Sequence, residues 1–388
     1  MVFDLTFLNT INQFVIFYMK KRLSHLLLGS LGLILLLKPA YTEQPPSSPA
    51  EVVESHSPKQ LIGVASKIAA TATTPRDYSE MIYYLDKAIR SRTIVPEHRE
   101  YARKLKGWSH NRLGEHFASQ GKEAAALTQF ETAVELNFKH WKALHNRGVS
   151  YAMSSRLDEA AQDFSATIRL HPEYANAWFN RAEVFMRQGK TALAIENYSQ
   201  AITLDAEDAD FYAGRGKAYR LQKQYTLAEA DLNRALELNN RLTRGYIQRG
   251  NLWLAQGDYE RAAADYRTAV RNDSRSVAAY RCVAWMMATC EDQRYRDPKR
   301  SIQFAKKAIE LNGDEDFRLL DTVAAAHANA GQFSDAVSEQ QRAIKMAAGQ
   351  ATGREMYDLK QRLQQYSQQA PYRTEVIARQ SDNSGRLQ

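Results

Sequence analysis

The chain has 388 residues, 44% of them hydrophobic, with a formal net charge of +8. That excludes a disordered chain, which would be poor in apolar residues. The charge is carried by Lys and Arg interleaved with Asp and Glu, the pattern of a solvated surface rather than the basic face of a nucleic-acid binder. The two cysteines, Cys282 and Cys290, are expected on one continuous helix about 12 Å apart, beyond the roughly 7 Å that a disulfide spans, so no disulfide framework is implied.

Residues 1–42 read as a signal peptide or signal anchor. From Met19 the sequence runs Lys20-Lys21-Arg22, then an apolar stretch from Leu26 to Leu37, then Lys38-Pro39-Ala40-Tyr41-Thr42. A basic start, a short hydrophobic centre and a small-residue exit are the form of a secretory address. The stretch falls short of the roughly twenty residues that span a bilayer, which favours a cleaved signal. Ala40 and Thr42 fit the cleavage positions poorly, which keeps an uncleaved anchor open. Met19 begins a cleaner signal than Met1, and either start predicts export to the periplasm or cell envelope, with membrane contact only through this segment. Residues 43–60, with Pro45, Pro46, Pro49 and Pro58, read as a flexible linker without a helix. Residues 61–106 read as a degenerate helical cap, with 77–90 as the second helix of a hairpin.

From there a period of thirty-four governs the chain. Gly114, Gly148, Ala182, Gly216 and Gly250 recur at that spacing, as do Ala126, Ala160, Ala194, Ala228 and Ala262. A third small column runs Ala133, Thr167, Ala201, Ala235, Ala269. Bulky residues keep the same register in Phe117, Tyr151, Phe185, Tyr219, Trp253 and in Phe130, Phe164, Tyr198, Leu232, Tyr266. The small columns fall on either side of turns such as Gln188-Gly189-Lys190, so each unit is two antiparallel helices held close by small residues, with rings filling the remaining space. A hairpin of this kind leaves apolar surface that only a stacked neighbour covers. The fold class expected is therefore all-α, a right-handed α-solenoid of tandem helix hairpins.

These residues carry a resemblance. Trp178-x-x-Arg181-Ala182-x-x-Phe185, then Ala194, Tyr198 and Ala201, resemble the signature of the tetratricopeptide repeat. The sequence departs from it in Arg147, Arg181, Arg215 and Arg249, where the family usually has leucine, and in keeping its closing proline only as Pro172. Seven units are expected, at 107–140, 141–174, 175–208, 209–242, 243–276, 277–316 and 317–350. The sixth is long because Asp292 to Lys299 is inserted between its helices. A capping helix over 351–372 follows, with Met356, Leu359, Leu363 and Tyr366 on one stripe, and then a polar tail, 373–388. The run from Ala284 to Cys290, the Leu320-Asp321-Thr322 segment and the ending Pro371-Tyr372-Arg373 resemble exported bacterial repeat proteins of planctomycete type. That likeness implies a secreted or membrane-attached protein rather than a mechanism.

The motifs of catalysis are missing. The histidines show no metal-binding spacing, and neither a phosphate-cradling glycine loop nor a nucleophile elbow is present, so no enzyme, metal or cofactor is expected. The groove that such repeats form is lined by the second, fifth, ninth, twelfth and thirteenth positions of the unit, and the resemblance makes it a peptide site. Here those positions supply His145, Phe179, Glu183, Arg187, Lys217, Arg220, Arg244, Asn251, Arg281 and Trp285, a cationic and aromatic set suited to an extended acidic or aromatic peptide. The function expected is a scaffold or adaptor holding an unknown protein or peptide. The alternative is a structural subunit of an envelope assembly that uses the convex face or the 292–299 insertion. The arginine column is expected to be structural, its guanidinium groups reaching acids or carbonyls between repeats.

Overall fold

The computed structural model of the protein describes residues 56–349 and 351–374. The expected signal segment, most of the expected linker and residues 375–388 of the expected tail lie outside them. Among the described residues are seventeen α-helices and one 3-10 turn, and no strand. They fall into two compact units that divide between Lys190 and Thr191.

In the unit ending at Lys190 the helices are α1 Pro58–Thr71, α2 Pro75–Arg90, α3 Pro96–Ser119, α4 Glu123–Leu136, α5 Trp141–Met153, α6 Leu157–Leu170 and α7 Ala175–Arg187. The expected linker is shorter than 43–60, because α1 begins within it. Pro58 occupies the first turn, where its missing N–H has no partner to lose, and the Gln60 side chain accepts from the Ser57 N–H at 2.8 Å. α2 starts the same way, with Thr74 and Asp77 closing a reciprocal cap. The Asp77 carboxyl sits below its ordinary range because the Thr73 and Thr74 N–H groups donate to it. Helices α1 and α2 bury Leu61, Ile62, Met81 and Leu85 against Ala102 and Leu113 of α3. α3 is one helix of 24 residues, so the expected boundary between cap and first repeat at 106/107 falls inside it.

The unit from Thr191 contains α8 Thr191–Leu204, α9 Ala209–Leu221, α10 Tyr225–Leu238, α11 Thr243–Ala255, α12 Tyr259–Asn272, α13 Val277–Thr289, α14 Pro298–Asn312, α15 Phe317–Asn329, α16 Phe333–Ala347 and α17 Gly353–Ser367. Close approach explains the glycine column: a Cβ at Gly250 would stand 2.6 Å from the fully buried Tyr266 ring. The hairpin turn needs a left-handed residue, which glycine supplies at Gly189 and Gly257. At the equivalent positions Ser155 and Lys223 adopt φ of 61° and 62° with a side chain attached.

The arginine column is the staple between repeats. Arg215 makes a two-pronged pair with Asp231 of α10 at 2.7 and 2.8 Å and donates its third arm to Ser199 of α8. Arg249 does the same with Asp265 of α12 and Asn233 of α10. Each guanidinium thus joins the second helix of its own hairpin to that of the hairpin before, in the planar geometry that arginine alone provides. In the other unit Arg147 pairs with Asp163 at 2.8 Å, and Arg181 donates to Ser165.

α13 is buried nearly all round, from Ala278 to Thr289, as a helix packed on both sides must be. It ends at Thr289, so Cys290 caps the helix rather than continuing it; both cysteines are free and buried. The insertion forms a 3-10 turn at Gln293–Tyr295 that is bound back to α13, through Asp297 N–H to Met287 O and the Arg296 guanidinium to Cys290 O.

The last helix departs most from expectation. Leu359 and Tyr366 of α17 are buried as the stripe implies, but its polar side also faces protein. The chain then turns at Gln369 and comes back to α13, where Arg373 and Thr374, expected in the polar tail, are bound.

Candidate functional site

A cleft of about 780 Å³ lies in the unit from Thr191, between the first helices of its hairpins and α17. Its floor takes Arg220 from α9, Asn251 from α11, Arg281 and Trp285 from α13, and Arg318 and Asp321 from α15. Arg354, Glu355, Asp358 and Arg362 of α17 form the opposite wall, and Tyr372 closes one side. Six cations face the cleft, Lys223 completing the set, against three carboxylates.

Each carboxylate has an arginine on it. Asp321 receives both arms of Arg362 at 2.7 and 2.9 Å, and the Gln340 amide as well. Glu355 takes Arg318 at 2.7 Å and Asp358 takes Arg354 at 3.2 Å. Burial works against the Arg362 charge, but Asp321 outweighs it and holds the guanidinium above its ordinary range. Burial lowers Arg318, with Glu355 opposing. Cationic side chains thus outnumber carboxylates in the lining, a composition that favours an anionic ligand. Arg362 also lies between two rings, 5.4 Å from Trp285 and 5.5 Å from Tyr372.

Of the ten residues named from the sequence, four surround this cleft: Arg220, Asn251, Arg281 and Trp285. The Asn251 side chain is oriented by the Tyr266 hydroxyl, which donates to its Oδ1 at 2.7 Å. Lys217 is buried on α9 and Arg244 is half-buried on α11, and neither lines the cleft. His145, Phe179, Glu183 and Arg187 belong to the other unit. There Phe179 and Glu183 are buried, His145 packs on Tyr174 with ring centroids 5.0 Å apart, and Arg187 is bound to Ala152 O and Ser155. Phe179 and Glu183 are covered by neighbouring helices, and His145 and Arg187 are half-buried. The sequence reading missed Arg318, Asp321 and the whole α17 wall. Glu355, Asp358 and Arg362 fall one helical turn apart, a polar stripe beside the apolar one that was the available signal.

Among the described residues no group of three or more His, Cys, Asp or Glu could hold a metal ion, and no helix is long and apolar enough to cross a membrane. Burial pushes the Cys290 thiol up to about 11, away from a reactive thiolate.

Family models of the tetratricopeptide repeat match residues 111–175, 182–223, 209–241 and 247–288. These are tetratricopeptide repeats. The tetratricopeptide fold is seen again in solved structures. A tetratricopeptide repeat protein from Parabacteroides merdae superposes with a TM-score of 0.52 at 17% identity, over 67% of this chain and 98% of that one. The Cut9–Hcn1 hetero-tetramer of the APC/C gives 0.54 at 14% identity, over 81% of this chain and 58% of that one. No curated protein matches the sequence. Tetratricopeptide repeats are scaffolds for binding proteins or peptides, typically without catalysis of their own.

Proposed function

We propose that this protein is a non-enzymatic adaptor that holds an extended acidic peptide of a partner protein in the cleft of residues 209–374. The observation that carries the reading is the surplus of cations along a cleft whose floor draws on four successive hairpins. Adjacent helices stand about 10 Å apart, so a strand crossing three such steps needs about nine residues. Main-chain groups of such a strand would meet Asn251, and its carboxylates would meet guanidinium groups able to bind them in two-pronged fashion. The 292–299 insertion offers less to a partner, since Asp292 holds Arg294 at 2.7 Å and Asp297 caps α14. We place the protein in the cell envelope on the strength of the sequence of residues 19–42.

The test is a hydrogen-exchange footprint of a synthetic dodecapeptide of alternating Glu and Ser. Protection confined to α9, α11, α13, α15 and α17 is the expected result. Protection on the insertion, or none anywhere, would remove the cleft from consideration.

A further inference from the structure

α17 stops at Ser367, and the backbone reverses at Gln369, which takes a left-handed φ of 55°. Pro371 then has no N–H to continue a helix, and from Pro371 to Thr374 the chain follows no regular secondary structure and returns to the end of α13. What it finds there are the last carbonyls of α13, which have no partner within the helix and lie at its negative end. The Arg373 guanidinium donates to Ala288 O at 2.9 Å and to Asn329 Oδ1 at 3.1 Å. The Thr374 N–H donates to Thr289 O at 2.9 Å, and the two threonine hydroxyls meet at 2.8 Å. Tyr372 lies 5.9 Å from Trp285, whose indole N–H is buried with no acceptor.

We infer that Pro371–Thr374 is an intramolecular occupant of a strand-binding subsite at the end of the cleft. The subsite takes an extended peptide bearing an aromatic residue followed by arginine, and a partner reaches this part of the cleft by displacing the segment. The inference rests on the cleft being a peptide site and adds its regulation. Recognition uses one main-chain hydrogen bond, one guanidinium shared between the Ala288 carbonyl and the Asn329 side chain, and one ring beside Trp285, all of which a separate peptide can supply. The tether from α17 is short, so the segment competes at an effective concentration of about 1 mM. It is also imperfectly held: burial and the nearby Arg296 both disfavour the Arg373 charge. A partner that adds contacts along the cationic floor, which Pro371–Thr374 does not reach, therefore has the means to replace it.

The experiment uses a fluorescein-labelled peptide of residues 369–376 and two full-length proteins, the native chain and the Tyr372→Ala/Arg373→Ala variant. The variant is expected to bind the peptide at least tenfold tighter than the native chain, because its own segment no longer competes. Equal affinity, or no binding to the variant, would overturn the inference. As a second readout, trypsin should cleave after Arg373 at least tenfold faster in Asn329→Ala than in the native chain, while the helical circular dichroism stays the same; equal rates count against a docked segment. If the acidic dodecapeptide binds but the segment peptide binds neither protein, this inference fails and the cleft reading stands. If the segment peptide binds the variant while the acidic peptide binds nothing, the reverse holds.

Discussion

Residues 209–276 and residues 277–374 must both find partners for polar groups on closely packed helices, and they do so by different means. In the first region the solution repeats: Arg215–Asp231 and Arg249–Asp265 are the same pair thirty-four residues on, each two-pronged and each with a third arm to the preceding hairpin. In the second the period is broken by an insertion, and the pairs become Arg318–Glu355 and Arg362–Asp321, made between α15 and the terminal helix. The repeating pairs and their third arms all run between helices of the stack, and none of these residues lines the cleft. The terminal pairs line a cleft in which cationic side chains outnumber acidic ones. Where the repeat is regular the polar groups hold the fold, and where it ends they are left facing a space that a ligand can enter.

Perturbing the regular region should cost most. Ala262→Glu places a charge at a fully buried position beside Tyr266 and is expected to cost about 3 kcal/mol or more in urea denaturation, from overpacking and charge burial. An unchanged midpoint would mean that the helix register is wrong. Asp265→Ala removes the acceptor of both Arg249 and the Trp253 indole N–H. The expected loss is about 2–4 kcal/mol, less than for a fully buried pair because Arg249 is partly wet. Asp358→Ala, the matched change in the terminal region, removes a carboxylate from an arginine that is 66% exposed and is expected to cost below about 1 kcal/mol. Equal losses at the two sites would erase the distinction between structural and cleft pairs.

Smaller effects sharpen it. The Cys290 thiol, raised by burial from an ordinary value near 9 to about 11, contributes stability that is fully present below pH 9 and is lost as pH rises toward 11. The loss should not exceed about 2–3 kcal/mol. In the native protein neither cysteine should react with a thiol reagent at pH 8, whereas both should react in denaturant; prompt native labelling would place Cys290 at the surface. Lys223→Gly relieves a left-handed side-chain residue and deletes a cleft cation. It should raise stability by about 0.5–1 kcal/mol while weakening peptide binding, so a variant that gains both, or loses both, contradicts the placement of Lys223.

Much of the first region was legible because a period of thirty-four marks every residue that touches its counterpart. The small columns, the rings over them and the structural arginines all announce themselves that way. The partner of Arg147, Arg215 and Arg249 was legible too, in Asp163, Asp231 and Asp265, but it lies sixteen residues on, across a turn, where no helix-face rule points. Pro58 misled because a proline that breaks a helix interior also begins one. Lys217 and Phe179 misled because a position that faces the groove in one hairpin can be covered by the next. The α17 wall showed only as a polar stripe, and its partners were not legible: its pairs with α15 span 37 and 41 residues, occur once, and depend on how the last helix docks.

The most direct test of the cleft is an anisotropy titration of the Glu-Ser dodecapeptide and a Lys-Ser dodecapeptide against the native protein and Lys223→Glu/Arg354→Glu, two cleft residues exposed enough to reverse without loss of fold. Binding of the acidic peptide alone, weakened at least tenfold by the double reversal with helical circular dichroism intact, is the predicted result. Equal binding by the two proteins, or a preference for the basic peptide, would contradict the account.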